Sequence, residues 1–80
     1  MIQVHFFAGL REQAKVSQID WRWEKGLSAG QLRSQLTQRW PTIDVLLQRS
    51  TLAVNNQIVP DSFLIPDQAE VALLPPVSGG

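Results

Sequence analysis

The chain has 80 residues, 44% of them hydrophobic, with seven Lys and Arg against seven Asp and Glu and no cysteine. That length predicts one domain, and the missing cysteines exclude a disulfide framework and a thiolate metal site. The balanced charge, with arginines scattered at 11, 22, 33, 39 and 49, leaves no electrostatic footprint for nucleic acid, and no run approaches the roughly 20 apolar residues of a bilayer span. The opening MIQVHFFAGLRE carries neither the basic start nor the long apolar run of a signal peptide, so a cytoplasmic protein is expected, with no nucleic-acid or membrane partner.

Residues 2 to 7 alternate, with Ile2, Val4 and Phe6 on one face and Gln3, His5 and Phe7 on the other, the period of a half-buried strand. The next stretch, AGLREQAK, predicts a short helical turn or loop. SQIDWRW alternates again, placing Ile19, Trp21 and Trp23 together on a second strand that EKG ends.

Ser28 and Gln31 have the spacing of a capping box, flanked by Leu27 and Leu32 at the two staple positions, so a helix is predicted from about Ala29 to Trp40. Leu32, Leu36 and Trp40 form its apolar stripe, and Arg33, Gln35 and Arg39 are expected to face water. Pro41 stops it, lacking an amide proton and disfavouring helical angles at the residue before it. TIDVLLQRS predicts another short helical turn. TLAVNNQIV reads as two short strands around Asn55-Asn56, residues that tolerate the positive φ of a tight hairpin turn. PDSFLIPDQ is a connection, and AEVALLP a last strand with Val71 and Leu73 on one face and Ala72 and Leu74 on the other.

Strand, strand, helix, strand, strand, strand is the order of the ubiquitin-like β-grasp, an α+β fold in which one main helix crosses a mixed sheet of about five strands. Residues 1–74 are assigned to that domain and 75–80 to a flexible tail. In this fold the first and last strands lie side by side. If Ile2, Val4, Phe6, Val71 and Leu73 face the helix, Phe7 and Leu74 project together from the opposite side. With Phe63, Leu64, Pro75 and Pro76 expected nearby, they form an apolar patch leading into the tail, the mark of a docking surface.

Conventional catalysis is poorly supplied. His5 lies mid-strand with no cysteine beside it and reads as a sheet-face histidine, and the dispersed carboxylates form no metal-ligand spacing. Gly26 and Gly30 lack the companions of a phosphate-binding loop, so no bound cofactor or metal is expected. What remains is the C-terminal carboxylate of Gly80. Unreactive as it stands, it becomes transferable if a partner enzyme converts it to an acyl-adenylate. Gly79 and Gly80 have no Cβ and can thread a narrow channel. Pro75 and Pro76 stiffen the base of an arm that reaches at most roughly 20 Å when extended.

FFAGLRE at 6–12, LAVNNQIV at 52–59 and AEVALLPPVSGG at 69–80 resemble the MoaD family of ubiquitin-like sulfur carriers, the small subunits of molybdopterin synthase. The middle of the chain matches only in pattern. The resemblance implies that an ATP-dependent adenylating enzyme, similar to ubiquitin-activating enzymes, activates Gly80, and that a sulfur donor converts it to a thiocarboxylate. The tail then enters the large synthase subunit, where cyclic pyranopterin monophosphate receives the sulfur. By the same resemblance Gly80 is the reactive residue, Gly79 supports it, and Phe7, Leu74, Pro75, Pro76 and Val77 contact the large subunit in a heterotetramer. Leu74 stands where relatives carry an aromatic residue. Arg11 matches a family arginine, with partner binding and local pairing to Glu12 or the tail both open. The thiamine-pathway sulfur carriers and the lysine-conjugated modifiers share the tail and remain alternatives.

Overall fold

Ile2, Val4 and Phe6 are all buried on one face of β1 (Ile2–Phe6), as the alternation predicts, with Gln3 and His5 on the other. A computed structural model describes residues 1–76. Phe7 is still extended, but Ala8 takes φ 48°, a left-handed value that costs an L residue roughly 1–2 kcal/mol. This reversal opens α1 (Ala8–Ala14), a helix where the sequence predicts a turn or loop, and Leu10 and Ala14 anchor it in the core. Lys15 closes it with φ 62°, its N–H bonded to the Arg11 carbonyl.

β2 (Gln18–Trp21) is shorter than predicted. Trp23 lies beyond the strand and donates its indole N–H to the Ile65 carbonyl at 2.7 Å. The capping box forms: the Gln31 N–H donates to Ser28 Oγ at 3.1 Å, and the Ser28 N–H to Gln31 Oε1 at 3.0 Å. It starts α2 (Ala29–Arg39), whose Leu32 and Leu36 are fully buried. Trp40 follows at the helix end, edge-on to Phe6 with ring centroids 5.3 Å apart. Pro41 opens a 3-10 turn, Pro41–Ile43, that runs into α3 (Asp44–Gln48), so the predicted helical turn exists as two short pieces.

Arg33 departs from expectation. It does not face water but is buried beneath α3, where Nη1 donates to the carbonyls of Leu47 and Ser50 and Nη2 to Asp61 Oδ1 at 3.0 Å. The apolar stripe of α2 is wider than the leucine spacing indicates, and a guanidinium with a long aliphatic stem is the cation that can line it while serving several acceptors at once. Arg33 thereby ties α2, the end of α3 and the Asp61 loop together.

β3 (Thr51–Val54) and β4 (Gln57–Val59) pair through Val54 and Gln57, leaving Asn55 and Asn56 as a two-residue turn at φ 49° and 69°. Positive φ at both positions is what a type I′ hairpin needs, and asparagine adopts it at low cost. β5 (Glu70–Leu74) lies between β1 and β3, giving the sheet order β2-β1-β5-β3-β4 with β1 parallel to β5 and the other pairs antiparallel. This is the β-grasp arrangement, with α1 and α3 added beside the main helix.

The connection at 60–66 does not join the patch predicted around Leu74. The Ala29 N–H bonds the Phe63 carbonyl, and Leu64 bridges Ser28, which fastens this segment to the start of α2. Phe6, paired with Leu73 and so beside the end of β5, instead touches Trp40 at the far end of that helix, about 16 Å along its axis.

Candidate functional site

Core packing decides what the outer face of the sheet shows. With Ile2, Val4, Phe6, Leu52, Val54, Val71 and Leu73 buried against the helices, their alternates must point the other way. The strand register sets those alternates in a row across four strands: His5 beside Ala72, Ala72 beside Ala53, and Ala53 beside Ile58. Leu74 stands opposite Thr51 in the next row toward the C-terminal end of β5, and Phe7 follows Phe6, the partner of Leu73. Phe7 and Leu74 therefore lie on one face at neighbouring positions, as the sequence predicts.

They differ in exposure. Phe7 is 43% exposed, whereas Leu74 and Pro75 are half-buried and Pro76 is exposed. The two alanines floor a shallow depression of about 200 Å³, rimmed by His5, Phe7, Asn56 and Glu70, and Ile58 follows Ala53 in the same row. Small residues at the centre, Phe7 at the rim and Ile58 beyond Ala53 in the same row make a surface that a convex partner can cover. His5 Nε2 lies 3.5 Å from Glu70 Oε1, the sheet-face role expected of it. The backbone of Glu70 is held in turn by Asn55, whose N–H bonds the Glu70 carbonyl at 2.8 Å and whose Oδ1 accepts the Glu70 N–H at 3.0 Å.

Ile58 is the residue that sequence reasoning missed. It is 74% exposed, the most exposed large apolar side chain among the described residues. A two-residue turn at Asn55-Asn56 dictates that Ala53 and Ile58 oppose each other, so carrying the register one pair past the turn would have placed it on the outer face. Arg11 is exposed on α1, and among the described residues it forms no ion pair with Glu12. Val77, Gly79 and Gly80 lie outside the described residues.

The described residues contain no group of three or more His, Asp or Glu that could hold a metal ion, and no helix long and apolar enough to cross a membrane. What the site offers is contact area next to the root of the tail. β5 is hydrogen-bonded on both edges, so the point from which residues 75–80 leave is held in the middle of the sheet.

The model of the ThiS family matches residues 4–80. The molybdopterin synthase sulfur carrier subunit of Mycobacterium tuberculosis is 34% identical over 80 residues, covering 99% of this chain and 96% of that protein. Its counterpart of the same name in Arabidopsis thaliana is 28% identical over 79 residues, covering 99% and 82%. Among solved structures, SAMP1 from Haloferax volcanii superposes with a TM-score of 0.87 at 21% identity, covering 99% of this chain and 98% of that one. In the complex of subunits 1 and 2 of molybdopterin-converting factor from Helicobacter pylori, the matching chain gives a TM-score of 0.70 at 22% identity, covering 99% and 97%. These structural likenesses carry the fold. With a family model spanning residues 4–80 and a relative 34% identical across nearly its whole length, the chain belongs to the ThiS family, on the ubiquitin-like β-grasp built above.

Proposed function

We propose that this chain is the sulfur-carrier small subunit of a molybdopterin synthase. The observation that carries the reading is the full-length match to proteins named for that role, joined to an apolar outer face that leads into a tail ending in Gly79-Gly80. In the proposed cycle a carboxylate oxygen of Gly80 attacks the α-phosphorus of ATP on an adenylating enzyme, and pyrophosphate leaves. One hydrosulfide equivalent from a sulfur donor then displaces AMP, breaking the acyl C–O bond and forming the C–S bond of a thiocarboxylate. The outer face docks on the large subunit through Phe7, Ile58 and Leu74, and Pro75 to Val77 guide the tip inward. There the sulfur passes to cyclic pyranopterin monophosphate, water restores the Gly80 carboxylate, and a second loaded carrier completes the dithiolene.

Phe7 and Leu74 supply affinity rather than chemistry, because no side chain among the described residues is arranged as a nucleophile with its base. The glycines supply access: a Cβ at either position would widen the thread that must enter another protein's active site.

Intact mass of the protein from its own cell tests the reading. The expected product carries one sulfur in place of one terminal oxygen, and the loaded protein with the large subunit and pyranopterin substrate yields molybdopterin. Deleting Gly80, or adding one residue after it, should leave folding intact and abolish transfer. An isopeptide bond from Gly80 to lysine as the sole product would establish a modifier instead. Sulfur delivery to a thiazole precursor and not to the pyranopterin would establish the thiamine pathway.

A further inference from the structure

The helix side of the sheet carries a second and larger concavity, independent of the tail. It runs between β2 and α2 with a volume of about 560 Å³, and Trp21, Arg22, Glu24, Gln35, Gln38 and Arg39 line it. The Trp21 indole N–H donates to Gln35 Oε1 at 2.7 Å, which holds the ring as a half-buried apolar wall. Arg39 lies over the Trp40 ring at 4.6 Å.

This groove opens beside an unpaired sheet edge. The Phe6 N–H bonds the Ser17 carbonyl at 2.8 Å, so with the register Val4 to Ile19 and Ile2 to Trp21 those pairs exchange hydrogen bonds, and the intervening residues point outward. The bond from the Gln3 N–H to the Ala69 carbonyl at 3.0 Å shows the same alternation on β1, where the outward groups meet β5. On β2 the N–H and C=O groups of Gln18 and Asp20 meet no strand, since β2 is the first strand of the sheet order. Neither proline nor lysine interrupts it, and its single charge, Asp20, alternates with Ile19 and Trp21 and so points to the face opposite the groove, which leaves the edge backbone open to a further strand.

Charge decides the occupant. The lining holds two guanidinium groups, Arg22 and Arg39, against one carboxylate, Glu24. Arg22 reaches Glu24 only at 3.7 Å with both side chains exposed, a pair weak enough to exchange for another carboxylate. We propose that a partner protein docks an extended acidic segment here. It adds as a sixth strand, bonding the outward backbone groups of Gln18 and Asp20, lays alternate apolar side chains against Trp21, and sets flanking carboxylates on Arg22 and Arg39. Strand addition supplies affinity through main-chain bonds, and the pocket and charges supply selectivity. A second copy of this chain fits poorly, because QIDWRW brings Ile19 and Trp21 but no carboxylate to the groove side of its strand. The groove lies on the opposite side of the sheet from Phe7 and Ile58, so both surfaces can be occupied together.

The probe is a dye-labelled peptide, Asp-Glu-Val-Thr-Val-Thr-Val-Glu-Asp, titrated into the full chain by anisotropy and amide NMR. Its controls are the same peptide with lysine at every acidic position and one N-methylated at alternate residues. The acidic peptide should saturate, with shifts at Gln18 to Arg22 and Gln35 to Arg39. Both controls, and the acidic peptide on the Arg22→Glu/Arg39→Glu double variant, should bind at least roughly tenfold more weakly. Both arginines are exposed, so the variant should stay folded, with melting lowered only by the lost contact of Arg39 with Trp40 and the charge change at the end of α2. No binding, equal affinity for the lysine peptide, shifts confined to Ala53 and Ala72, or sedimentation of the free chain as a β2-paired dimer would each overturn the proposal.

Discussion

Replacing Ile58 by alanine removes the apolar side chain that the outer face holds most fully in solvent. Fully burying an isoleucine contributes about 1.5–3 kcal/mol relative to leaving it exposed. With 74% of the residue still exposed in the free chain, roughly three quarters of that gain is realised only when a partner covers it, or about 1–2 kcal/mol. Isothermal titration against the large synthase subunit should therefore show Kd rising by about 5- to 30-fold. The fold should lose under about 1 kcal/mol, the span of strand propensity at an edge position, which urea denaturation measures. Val45 supplies the matched control, because it is 73% exposed but lies on α3 in the helix layer. Val45→Ala should leave Kd unchanged. Wild-type affinity in Ile58→Ala, or an equal loss in Val45→Ala, would refute the assignment of the outer face as the docking surface.

Phe7→Ala should weaken the same complex by about 1 kcal/mol, since less than half of the ring remains for a partner to cover, and unlike Ile58→Ala it should lower the melting temperature measurably. Arg33→Met should cost about 3–5 kcal/mol in urea denaturation, because two buried carbonyls lose their charged donor; Asp61→Asn, at a carboxylate whose side chain is 62% exposed, should cost no more than about 1 kcal/mol. A loss below about 0.5 kcal/mol in Arg33→Met would show that the network does not hold α3 in place. Ala8→Gly should stabilise the domain by up to about 1 kcal/mol, as glycine adopts φ 48° without strain, and calorimetry should show a rise of several degrees.

Local rules made much of this fold legible. The Ser28 and Gln31 spacing identifies the start of α2, the asparagine pair identifies the hairpin, and alternation in IQVHF and EVALL separates the core face from the outer face. Three features escaped those rules for distinct reasons. α1 begins at a left-handed alanine, with Leu10 and Ala14 packed into the core and the Leu10 N–H bonded to the Phe7 carbonyl, so propensity over seven residues could not distinguish it from a loop. Arg33 is exposed by residue type and buried by context, since its acceptors, Leu47, Ser50 and Asp61, lie 14 to 28 positions away. The segment Phe63-Leu64 belongs to the start of α2 through backbone bonds that leave no side-chain pattern. Ile58, by contrast, was within reach of register counting.

Core and proposed docking face place opposite demands on neighbouring residues of the same strands. Along β5, Val71 and Leu73 must be apolar to hold the helices, while Ala72 must be small to leave the depression beside Phe7. Exchanging Ala72 for leucine would make the strand more hydrophobic yet fill the depression beside Phe7. The same strand carries the tail, so any partner covering the outer face also sets the direction from which residues 75–80 depart. Under the proposed function, with Gly80 as the sulfur-bearing residue, rigid docking a few residues upstream converts a free chain end into one at high effective concentration near its target. Under the proposed function the alanine floor and the exposed Ile58 bear on transfer through docking, as the glycines do through access.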